Sequence, residues 1–95
     1  MTLPSSTQGG NVFEVTGTNT ITLISNADWN NGAKVTLLFT STATLTDGTA
    51  NSGTDIGMEL AGGANFVGSA DDVVCLILTE MGSVQRWREV SRSVN

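Results

Sequence analysis

Residues 73–78, "VVCLIL", are apolar at every position, and this run constrains the fold more than any other stretch of the chain. Successive side chains of a strand point to opposite faces, so such a strand needs cover on both sides. A two-layer β fold covers only one of them. The second face then meets solvent unless something else lies over it. The run is also far short of the roughly 18 apolar residues that would suggest a membrane-spanning helix.

The rest of the chain supports a β reading. In "AKVTLLFT", Val35, Leu37 and Phe39 face one way, and Lys34, Thr36 and Thr40 face the other. "NVFEV", "TITLI", "DIGMEL" with Ile56, Met58 and Leu60, and the closing "SVQRWREV" follow the same period. "TATLT" either continues the strand before it or begins a partner. Turn formers recur about every ten residues, as in "NADWNNG", "DGTANSGTD" and "AGGANFVGSADD". Seven or eight short strands in one domain predict a β-sandwich or a compact barrel. Residues 11–95 make that domain. The polar "SSTQGG" within residues 1–10 is expected to be a linker, and the start lacks the basic end and apolar core of a signal peptide.

Aromatic residues make up only 5% of the 95, which is thin for a small core with neither disulfide nor evident metal. A core shared between subunits accounts for both this shortage and the two-sided strand. The expected interface and core positions are Val35, Leu37, Phe39, Val73, Cys75 and Ile77. The plainer alternative is a central strand in an unusually complete monomeric barrel.

Charge and chemistry remove several function classes. Four basic residues against nine acidic ones give a net charge of −5, the opposite of a nucleic-acid footprint or of an anchor on an anionic membrane. Histidine is absent, so neither a Ser–His–Asp nor a Cys–His site can be assembled. Cys75 is the only cysteine and fits a small buried hydrophobe. Asp71 and Asp72 are adjacent, so on an extended strand they point apart and make a poor acid–base pair; a turn is the better account. The loop 47–55 holds two carboxylates and Asn51, but has Ser52 where a calcium-binding loop needs glycine. No cofactor or metal is expected, and no enzyme activity.

Two sets of residues remain as candidate contact surfaces. Trp29, with Asn30 and Asn31, can stack on a sugar ring while the amides bind its hydroxyls; the alternative is a tryptophan that pins a turn against the sheet. Arg86, Arg88 and Arg92 hold three of the four basic residues. Trp87 between the first two is expected to point inward, with both arginines on the opposite face. Acids such as Glu14 or Glu59, on another strand or subunit, are their natural partners.

"NVFEVTGTNTITLI", "GAKVTLLFTSTATLTDG", "LAGGANFVGSADDVVCLILTE" and "RWREVSRSVN", taken in this order, resemble the C-terminal domains of bacteriophage tailspikes and tail fibres. Similar domains end other pectate-lyase-like β-helical proteins. The resemblance covers residues 11–95, most specifically the turn 60–66 and the terminal "WREVSRS". It implies a small antiparallel, jelly-roll-like β-sandwich that associates as a homotrimer, caps the distal end of a β-helical shaft and resides on the virion tail, outside the cell. The implied partners are two further copies, the upstream shaft of the same chain and host surface carbohydrate. Trp87, Glu89, Val90 and Arg92 would then organise the terminal strand. Arg88 stands where the family often has an aromatic residue.

Overall fold

The computed structural model describes residues 11–26 and 29–95 and is all-β. Its strands in chain order are β1 (Val12–Val15), β2 (Thr20–Ile21), β3 (Leu23–Ser25), β4 (Lys34–Phe39), β5 (Ala43–Leu45), β6 (Asp55–Glu59), β7 (Phe66–Gly68), β8 (Val73–Met81) and β9 (Val84–Ser93). A 3-10 turn, Ala61–Gly63, separates β6 from β7. The expected linker falls in residues 1–10, outside the described residues.

Two sheets share one core. The larger has the order β1-β4-β8-β9-β6-β3 and curls over the smaller, β2-β5-β7. An all-antiparallel arrangement was expected, and the observed one is mixed: β1 runs parallel to β4, β2 to β5 and β6 to β9. The reason lies in the connections. β1 and β2 lead into β3, and the chain then crosses back to pair β4 beside β1 and β5 beside β2, each in the same direction. "TATLT" is thus a strand of the second sheet. Thr40 and Ser41 make the corner, their hydroxyls donating to the carbonyls of Val15 and Gly17 at 3.2 and 2.7 Å.

Alternation sorts the core. Val35, Leu37 and Phe39 on β4, Val74, Leu76 and Leu78 on β8, and Trp87 on β9 are all buried, as are Ile56 and Met58 on β6. The small sheet adds Ala43, Leu45 and Phe66. Phe66 meets Phe39 edge to face at 5.6 Å, and Gly68 lets β7 lie directly on Phe39, because a Cβ there would sit 2.3 Å from the ring. Trp87 is the largest buried side chain, and its indole N–H donates to the Ile24 carbonyl at 3.1 Å. That bond satisfies the one polar group the indole brings into the core.

β9 carries a bulge. Cys75 pairs with Ser91 and Leu76 with Glu89, so Val90 is the extra residue. In a regular strand Glu89 and Arg92, three apart, would face opposite sides. The bulge turns both toward the inner side.

Candidate interaction face

The outer face of the large sheet falls into two halves with different fates. Over β9 and β6 it is covered by the loop 47–55. Arg86 fastens that loop: its Nη1 donates to the Thr49 carbonyl and to Asn51 Oδ1, each at 2.8 Å, and its Nε and Nη2 donate to Glu59 Oε2 at 3.0 and 2.6 Å. The guanidinium passes over Gly57, where a Cβ would stand 1.9 Å from the Thr49 carbonyl oxygen and 2.6 Å from Arg86 Nη1. Asn51 completes the seal, accepting from Gly57 N at 2.7 Å and donating to the Gln85 carbonyl at 2.8 Å. Asp47 accepts from Leu60 N at 2.7 Å. The loop's polar atoms are therefore used to hold the loop down. No cluster of three or more metal-ligating side chains occurs among the described residues.

Over β8, β4 and β1 the outer face has no such cover among the described residues. Val73, Cys75 and Ile77 stand on it, half-buried, while their neighbours Val74, Leu76 and Leu78 fill the core. Cross-strand pairing extends them into rows: Glu14, Leu38, Val73 and Ser93; then Val12, Thr36, Cys75 and Ser91; then Lys34, Ile77 and Arg88. Val12 is 61% exposed, and Met81 and Val84 at the hairpin tip are 64% and 52% exposed. The Thr36 hydroxyl lies 3.3 Å from the Cys75 sulfur. The result is a mixed strip, with Val12, Leu38, Val73, Cys75 and Ile77 as its apolar members and charge at its corners.

The predicted terminal contacts separate into different roles. Trp87 is core. Glu89 accepts from the Arg92 guanidinium in a two-point pair at 2.6 and 2.7 Å, and from Ala61 N at 2.8 Å. Arg92 lies over the Phe66 ring, 4.4 Å from its centroid. The Arg92 bond, assisted by the Ala61 amide, holds the Glu89 carboxyl below its ordinary value, although burial pushes it up. Val90, on the bulge, is 53% exposed. Asp72 was missed as a holding group. Its side chain is buried and accepts from Asn95 N and Ser69 N, both at 2.8 Å, and these bonds, the Asn95 one first, lower its pKa. Asn95 also donates to the Asp71 carbonyl at 2.8 Å. The acid-acid dipeptide before an apolar strand was the available signal; its distant partner was not.

The sugar-stacking candidates lie at the far end of β8. Trp29 is half-buried, packs against the core and meets Phe13 edge to face at 5.9 Å. Its indole N–H finds no acceptor among the described residues. Asn31 is exposed, but its Oδ1 accepts from Gln85 Nε2 at 2.8 Å, and Gln85 Oε1 accepts from Asn26 at 2.6 Å. Asn30 is exposed, its carbonyl accepting from Ala33 N. This is the geometry of a pinned turn. A separate open groove of about 680 Å³ runs between β1, β2 and β3, with Glu14, Thr16, Asn19, Thr20 and Asp55 in its lining.

No protein-family model, curated protein or solved structure matches this chain.

Proposed function

We propose that this chain is a homotrimerisation and capping domain of a phage tailspike or tail fibre, a jelly-roll-like sandwich whose uncovered outer half meets two further copies. The observation that carries the reading is the second face of β8. Val73, Cys75 and Ile77 remain half-buried on a strip that no described residue covers, beside a half that a loop covers closely. Apolar side chains grouped on a partly exposed sheet face mark interaction sites. The resemblance of residues 11–95 to tailspike ends supplies the biological setting, with the upstream shaft as the neighbouring part of the chain. Holding residues 89–95 through Asp72, Glu89 and Arg92 suits a cap, because loosening them would expose the core around Phe66. Any depolymerase chemistry belongs, on this reading, to a different region of the full protein.

Light scattering coupled to size exclusion, over a dilution series, tests it. The reading expects a mass of three chains that persists on dilution, since interleaved cores resist dissociation. A monomer at every concentration would overturn it.

A further inference from the structure

Among the described residues, two of the four basic side chains are ion-paired within the chain: Arg86 with Glu59 and Arg92 with Glu89. The other two, Lys34 and Arg88, make no ion pair there: Lys34 stands on the uncovered half of the outer face, and Arg88, on β9, stands at its border, between Ile77 on one side and Glu59 on the other. They flank the same residue. Ile77 pairs with Lys34 on one side and with Arg88 on the other, so the two cations are two strand spacings, about 10 Å, apart at one height along the strands. Arg88 is steadied by a bond from its Nε to the Thr79 hydroxyl at 3.1 Å. At the opposite end of the same strip stands Glu14, in the row with Leu38 and Val73, and it too has no cationic partner among the described residues. The strip is thus polar in the electrical sense: two cations in the Ile77 row, with Glu59 beyond Arg88, one anion in the Val73 row, and the uncharged Val12, Thr36, Cys75 and Ser91 between.

From this charge placement we infer how copies of the chain meet, an inference that rests on the self-association reading above. The Lys34–Arg88 end of one copy faces the Glu14 corner of the next. Three copies arranged with their strands along the assembly axis would instead bring equal heights together, setting the cation pairs of all three copies against one another. Like charges juxtaposed in an interface are costly, whereas opposite ones select register. The strands of neighbouring copies therefore cross, rather than run alongside at equal height.

Charge reversal with rescue tests the inference by solution mass. Glu14→Lys alone, and Lys34→Glu with Arg88→Glu, are each expected to weaken assembly at least tenfold at 0.15 M salt, about the physiological level. The triple variant, with all three charges reversed, is expected to assemble again. Circular dichroism checks that each variant keeps its β fold. Wild-type assembly with a triple variant that stays dissociated, or with a Glu14→Lys variant that assembles normally, would overturn the pairing and leave the trimer reading standing. A wild-type chain that is monomeric throughout would overturn both.

Discussion

The two halves of the outer face are built on the same sheet, and both present side chains from β8 and β9. Over β6 and β9 a single guanidinium from β9 bonds to β6 and to the loop, and the surface is closed. Over β4 and β8 the same alternation leaves Val73, Cys75 and Ile77 half-buried, with no layer above them among the described residues. The difference is not one of strand composition. It comes from the loop 47–55, which returns over one half only, and from a glycine that gives it room. Burial of an outer face is thus decided by what is laid over it.

The largest effect is expected where the closed half is tightest. Gly57→Ala places a methyl group into the Thr49 carbonyl and Arg86, so the loop must lift; a cost of about 3 kcal/mol in urea unfolding is expected, at the upper end of overpacking penalties. Arg86→Leu leaves the Thr49 carbonyl, Asn51 Oδ1 and Glu59 without their donor. Glu59 is partly exposed and can rehydrate, so about 2 kcal/mol is expected, with faster proteolysis in the loop 47–55. If both variants unfold like the wild type, the loop is not a structural cover and the contrast between the halves fails.

A third expectation concerns the tied end of β9. The carboxyls of Glu89 and Asp72 are both held below their ordinary values in the folded state. Their contribution is therefore complete at neutral pH, above the unfolded values of about 4, and is lost as pH falls through the lower folded values. Thermal melts between pH 6 and 2 should show this decline, and Asp72→Asn should flatten part of it. An unchanged slope in the variant would remove Asp72 from the account. The smallest effect on folding belongs to the open half. Ile77→Ser should change monomer stability by no more than about 1 kcal/mol while shifting the solution mass toward one chain. A large loss of stability without a change in mass would make Ile77 an ordinary core residue.

Much of the fold was legible from period alone. Val35, Leu37 and Phe39, and the alternation of Ile56, Met58 and Leu60, follow from a period of two, and the two-sided run 73–78 announced that one face would need cover. Strand partners were not legible. Parallel pairing of β1 with β4 depends on where a chain returns, which local pattern does not encode. The bulge at Val90 had no signal either, yet it alone puts Glu89 and Arg92 on one side. The sequence pattern placed Arg86 and Arg88 on the same face, but not their different partners: one is held under a loop from far upstream, and the other bonds to Thr79 on β8. Asp72 looked like half of a turn, and its role with Asn95 appears only once β8 and β9 are paired.

The most direct test of the central claim uses Cys75, the one thiol of the chain, which stands in the middle of the open strip. Its alkylation rate should be measured across a concentration series spanning assembly. If copies meet over this half, the thiol is protected at high concentration and becomes reactive on dilution, in step with the fall in mass. A rate that stays constant while the mass changes would place the interface elsewhere and contradict the account.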